Sequence, residues 1–260
     1  MDEATAFLET LDRTAPTSPT ACAGWTAHEL VAHLTAGAAE MAELTEAVTA
    51  GRAERATRDF AEREAPWVAM ADDDLRARLV TEAIRLGVAI EALAATGPDP
   101  TVPFAGRRLS VAELTMHGRS EAALHRWDMA GDDDISVELL AQPELTVHAV
   151  GVLNTMLDAS PEAVTTRTTA AALTELRANF AAPGHMDVVL VVDGAGARLE
   201  LDEPRARPCA TTDAATRLLA LWGRRSPTKR IRWNEDHAAA EPLAAFLWGV
   251  GAPTLLSETR

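Results

Sequence analysis

Glu121 and His125 are an acid and an imidazole four residues apart in the stretch Gly118-Arg119-Ser120-Glu121-Ala122-Ala123-Leu124-His125-Arg126-Trp127-Asp128. In a helix, positions i and i+4 lie one above the other, so both side chains project the same way. An oxygen and a nitrogen ligand aimed at one point are two of the three that a catalytic zinc site uses. A third must come from another helix, and His33 is the best candidate. Asp128 is placed to accept an imidazole N–H of His125 from behind. The same types also fit a bland reading, a helix ion pair and a hydrogen-bonded core histidine, and spacing alone leaves both open. His28 and His117 read as surface or supporting residues.

The elements that must carry these groups are marked in the sequence. Thr26 is an N-cap and Glu29 closes a capping box three residues on, with Trp25 and Leu30 in the flanking staple positions. The helix they start runs to about Ala50, and His33 falls inside its stripe of Leu30, Leu34, Gly37, Met41, Leu44 and Val48. Ser110 and Glu113 form a second box, stapled by Leu109 and Leu114, and start the helix of Glu121 and His125. Its inward face reads Leu114, His117, Glu121, His125 and Asp128, more polar than a packed core tolerates without partners. Helices are also expected over 2–13, 73–95 and 143–158. The Arg- and Glu-rich stretch 51–65, with Pro66-Trp67, reads as a mobile connection.

Beyond Pro161 the pattern changes. Asp187 to Asp193 is a β-branched run, followed by Gly194-Ala195-Gly196 and an alternating Arg198 to Leu201, a hairpin signal. Short strands are expected near 208–211 and 231–233, a helix capped by Asp213, and a last helix over 237–249 ending at Gly249 and Gly251. The expected fold class is α+β overall: a four-helix bundle over 1–160 followed by a small α+β domain over 161–260.

Composition narrows the function. The 260-residue chain carries a formal net charge of −15, which argues against a nucleic-acid partner, since phosphate binding needs a basic face. The runs Asp72-Asp73-Asp74 and Asp132-Asp133-Asp134 read as solvated helix ends and loops. Cys22 and Cys209 lack partners at metal spacing, so a disulfide framework is not expected and a reducing cytoplasm fits. No apolar run approaches a membrane span, and the N-terminus carries no signal-peptide pattern. Oligomeric state is not legible.

Gly24-Trp25-Thr26 with Leu30-Val31-Ala32-His33-Leu34, then Arg119-x-Glu121-x-x-x-His125-Arg126-x-Asp128, resembles the mycothiol-dependent maleylpyruvate isomerase family. Leu218 to Arg224 resembles that family's second domain more loosely. The resemblance implies a DinB-like bundle in which His33, Glu121 and His125 hold zinc, and it implies mycothiol as thiol cosubstrate. Alanine-rich, arginine-biased composition suits actinobacterial hosts. His117 and the 51–70 segment match no part of the pattern. The implied chemistry is coherent: three protein ligands leave zinc an open position for a low-molecular-weight thiol, whose thiolate adds to an electrophilic alkene, permits rotation and leaves. If the adduct is retained, the same site is an S-transferase. An acidic substrate would need a cation clamp, with Arg224 the first candidate and Arg126 behind it. Two other functions stay open. One is a non-enzymatic metal- or small-ligand-binding protein. The other is a metal-assisted hydrolase with Asp128 or His117 as base.

Overall fold

Two capping boxes set the frame of the N-terminal half. Thr26 accepts from the Glu29 amide while Glu29 reaches back to the Thr26 N–H, and α2 (Ala27–Thr49) follows; Ser110 and Glu113 repeat the arrangement ahead of α5 (Val111–Ala130). A box satisfies amides that have no partner inside the helix, and so fixes the residue at which helical phase begins. The computed structural model describes residues 1–159, 175–234 and 237–248. It divides into two compact units, Met1–Gly131 and Asp132–Arg260.

In the first unit α1 (Glu3–Leu11) packs along α5, and α2 lies along α4 (Asp72–Ala94), with α5 closing on both. A short hairpin, β1 (Thr101–Phe104) and β2 (Arg107–Ser110), leads into α5. Its turn residues Ala105 and Gly106 both have positive φ, as a two-residue hairpin turn demands. Two apolar clusters hold these helices. One gathers Phe7, Leu11, Leu30, Val31, Leu75 and Leu79; the other gathers Met41, Leu44, Leu86, Leu93, Phe104 and Leu114. A fully buried leucine such as Leu30 or Leu114 contributes about 2 kcal/mol. Along α2 and α5 the two clusters leave a gap, and His33, His117 and Glu121 fall in it.

The expected mobile connection is corrected by the structure. Residues 60–68 form α3 (Phe60–Val68), capped by Asp59 and containing Pro66. The irregular stretch before it is tied down by Glu40, whose carboxylate has no solvent exposure. Glu40 Oε2 accepts from Arg55 Nη2 at 2.9 Å and Arg58 Nε at 2.7 Å, and its Oε1 from the Arg58 amide at 2.9 Å. Thr57 Oγ1 also accepts from the Ala105 amide.

The second unit opens with α6 (Asp134–Leu140) and α7 (Pro143–Ala159). Its sheet has the order β5-β4-β3-β6-β7, antiparallel except for the β3–β6 pair. The strands are β3 (Leu176–Ala181), β4 (Asp187–Asp193), β5 (Gly196–Asp202), β6 (Ala210–Thr211) and β7 (Arg232–Trp233). The hairpin of β4 and β5 is where the sequence pattern put it, while β3 and α6 were not foreseen. α8 (Ala214–Leu221) and α9 (Ala240–Trp248) complete the unit. Asn154 of α7 grips the outer strand β5, donating to the Leu199 carbonyl at 2.9 Å and accepting from its amide at 2.7 Å. An edge strand needs such cover. α7 therefore packs with the sheet unit, and α1, α2, α4 and α5 make up the bundle. The expected junction after residue 160, and the stop at Gly249 and Gly251, lie outside the described residues. Among the described residues no helix is long and apolar enough to cross a membrane.

Glu40 supplies a test of this frame. Burial works against its charge, but the hydrogen bonds from Arg55 and Arg58 hold its pKa down to about 2. A carboxyl depressed on folding adds stability above its unfolded pKa, and that stability is lost as pH falls through the folded value. Its contribution should fade between about pH 4.5 and pH 2. Glu40→Gln should cost roughly 2–3 kcal/mol in denaturant unfolding near neutral pH, less than a fully buried pair, because Arg55 and Arg58 stay partly solvated. It should also open 52–59 to proteolysis.

Candidate metal centre

Three side chains from two helices converge in the gap between the apolar clusters. Glu121 Oε2 lies 3.4 Å from His125 Nε2 and 3.6 Å from His33 Nε2. Ligand atoms bound to one tetrahedral zinc at about 2.1 Å sit about 3.4 Å apart. All three donors lie within 4.8 Å of one another. The sequence-predicted triad is thus brought together, by the i,i+4 step on α5 and by α2 packing against it.

What lies behind each imidazole decides which nitrogen faces the centre. His125 Nδ1–H donates to Asp128 Oδ2 at 2.8 Å, and His33 Nδ1–H donates to Glu64 Oε1 at 2.7 Å. With Nδ1 directed at its own carboxylate, Nε2 of each ring is the atom that faces Glu121 and is available to a cation there. Carboxylate–imidazole pairs of this kind are how proteins orient and strengthen histidine ligands. Asp128 is further fixed by the Cys22 thiol, which donates to Oδ2 at 3.1 Å, and by the Ala21 amide on its backbone carbonyl. Cys22, His125 and Asp128 are themselves close enough to form a second group with metal-ligand atoms, sharing His125.

The electrostatics suit a centre that binds a cation. Burial opposes ionisation of Glu121, yet hydrogen bonding to His125 and His33 holds its carboxyl well below the ordinary range. Burial likewise opposes charge on His125, but Asp128, Cys22 and Glu121 raise it well above an ordinary imidazole. A proton on His125 places positive charge beside the Glu121 carboxylate. Burial keeps His117 lower than usual, only partly opposed by Glu121.

α3 closes one side. The Phe60 ring stacks on His33 with centroids 5.7 Å apart, and Trp25 packs on His33 at 5.1 Å. Arg63 lies over the Phe60 ring, its Cζ 4.3 Å from the centroid. A cation–π contact is worth about 0.5–2 kcal/mol. Glu64, Phe60 and Arg63 all come from the segment that sequence reasoning left unstructured. The spacing Phe60–Arg63–Glu64, i, i+3, i+4, was the available signal, hidden by charged neighbours and Pro66.

The remaining candidates are distributed as follows. Arg126 is buried on α5, about 100° around the helix from its neighbour His125. Arg224 belongs to the second unit. It follows Gly223, whose positive φ ends α8 in a motif where the Gly223 and Arg224 amides donate to Ala220 and Leu219 carbonyls. Its guanidinium reaches the Trp222 carbonyl at 3.5 Å. His28 is no ligand: it bridges Asp72 at 3.0 Å and the Val68 carbonyl at 3.1 Å.

Comparison with known proteins adds an independent finding. The family model described as mycothiol maleylpyruvate isomerase N-terminal domain matches residues 1–130. Two solved structures share the fold, the mycothiol-dependent maleylpyruvate isomerase and a histidine-to-alanine mutant of it. Each gives a TM-score of 0.55 and covers 88% of this chain and 88% of that chain, at 15% and 14% identity. No curated protein matches.

The carboxylate behind His125 makes a specific expectation. Asp128→Asn should lower affinity for zinc or cobalt by about 10–100-fold in chelator competition, with helical circular dichroism retained.

Proposed function

Because the chain belongs to the mycothiol maleylpyruvate isomerase N-terminal domain family, we propose that it is a zinc-dependent enzyme that uses mycothiol on an electrophilic small molecule. The reaction is cis–trans isomerisation of a maleylpyruvate-type alkene or, where the adduct is kept, thiol S-transfer. The observation that carries this reading is the pair of imidazole Nε2 atoms turned toward Glu121, each ring backed by a carboxylate on Nδ1.

His33, Glu121 and His125 would hold the zinc, and three ligands leave room for an exogenous thiol. A bound zinc ion supplies one thing here: it removes the proton from a coordinating thiol at neutral pH. The rest falls to the chain's own groups. Asp128 keeps the His125 proton on Nδ1 and the ring in place. Trp25 and Phe60 pack against the His33 ring and hold it in place. Arg224 and Arg126 are proposed cation clamps for an acidic substrate, since carboxylates suit the guanidinium fork. A cytoplasmic setting, where small thiols stay reduced, fits Cys22 and Cys209 as thiols and not a disulfide.

Metal analysis of the purified protein, followed by calorimetric titration with mycothiol and with glutathione, tests the reading. One zinc per chain and mycothiol binding that disappears in Glu121→Ala are expected. His125→Ala should lose the metal and keep its helical signal. A metal-free protein indifferent to both thiols would overturn the proposal.

A further inference from the structure

Among the described residues, no carboxylate pairs with Arg63. The residue is only 8% exposed, and its Nε is buried with no hydrogen-bond partner. Among the described residues its guanidinium makes neither a hydrogen bond nor an ion pair, and it lies over the Phe60 ring. The carboxylates nearest in sequence are engaged elsewhere. Asp59 caps α3 through the Glu62 amide, Glu64 takes the His33 Nδ1 proton, and Glu62 is exposed. Other arginines of the same unit are satisfied: Arg55 and Arg58 by Glu40 and Glu43, Arg85 by Glu46, Arg107 by Glu113. Where the second unit buries Arg217, its Nη1 donates to the Phe180 and Met186 carbonyls, although its Nε, like that of Arg63, has no partner. The Nε gives up its water without a hydrogen-bond acceptor in return, a cost the Phe60 ring face offsets only in part, while the terminal nitrogens keep access to solvent.

Its position says what the missing partner is. Arg63 lies on Phe60, and Phe60 stacks on His33 of the metal centre. It is also within electrostatic reach of His117, one helical turn before Glu121 on α5. A planar fork of donors beside a centre that handles a small electrophile suits a carboxylate, which it can grip with two parallel hydrogen bonds. We propose that Arg63 is a specificity-determining residue of this site, binding a carboxylate of the electrophilic substrate. This deepens the metal–thiol reading above and rests on it for the identity of the site. The cost of the unpaired charge in the free protein is then part of the design, as binding groups commonly trade stability for function.

Maleate is the probe, with its neutral diamide as control. Titrations compare wild-type protein with Arg63→Met, which keeps the apolar stem, and Arg63→Lys, which keeps the charge without the fork. Arg63→Met should weaken maleate binding at least ten-fold, leave zinc content and mycothiol affinity unchanged, and not lower the thermal midpoint of the ligand-free protein. Arg63→Lys should recover part of the affinity, and the diamide should bind wild type and Arg63→Met alike. Maleate affinity unchanged in Arg63→Met would overturn the proposal. So would a lowered midpoint with loss of zinc, or failure of Arg63→Met to fold, since either makes the guanidinium structural. Weakened glutathione binding with maleate unaffected would assign the anion to the thiol and also overturn it. Arg63-dependent maleate binding in a protein that takes neither zinc nor thiol would uphold the anion site while removing the metal–thiol reading. Zinc and thiol binding with maleate indifferent to Arg63 would do the reverse.

Discussion

The structure of the first unit turns on one carboxylate facing two imidazole nitrogens in the middle of a helix bundle. Glu121, His33 and His125 are not a cheap arrangement, because Glu64 and Asp128 bring two further carboxylates to the backs of the rings. Negative charge accumulates where the dielectric is low, and something positive must offset it. The raised basicity of His125 provides part of that offset. A divalent cation at the Nε2 positions would supply it without protons, so metal uptake and proton release are linked.

A polar waist of this kind cannot hold helices together, and the work falls to the apolar clusters on either side. Leu30, Leu75 and Leu79 anchor one end of the bundle and Leu44, Leu93 and Leu114 the other. Each capping box sits next to one of these clusters, with Leu30 and Leu109 buried beside the caps. The consequence is rotational. A helix whose first turn is fixed by its box has its phase fixed too, and the phase is what puts His33 and Glu121 on facing sides of α2 and α5. This also explains how the fold survives at 14–15% identity to the solved isomerase structures. Apolar spacing and caps can be met by many sequences, while the centre needs only a handful of residues.

How much could be read beforehand follows the same division. The i,i+4 pair, the stripe containing His33 and both boxes are local signals, and the structure brings their residues together as the spacing implied. Glu64 was invisible, because its partner lies 31 positions away and its own segment has no apolar period. α3 is held by tertiary contacts: Glu40 from α2 fastens the approach to it, and Phe60 gains its place by lying on His33. Pro66 and a run of charges argue locally against a helix at 60–68, and packing overrides them. The strand β3 escaped for a similar reason. Arg177 and Asn179 interrupt its apolar residues, and its register comes entirely from pairing with β4.

α3 is therefore where the constraints of stability and of chemistry meet. It contributes the carboxylate behind one ring, the aromatic face against it, and a guanidinium that pairs with no carboxylate among the described residues, all within five residues. None of these favours the free fold strongly, and the helix is short. Its attachment instead comes from the buried Glu40, which binds two arginines just upstream and draws the whole segment onto α2. A strong electrostatic anchor placed beside the centre, outside its ring of donors, lets the wall of the site carry groups chosen for ligands. The segment that looks least structured in sequence is thus the one whose side chains are freest to distinguish one substrate from another.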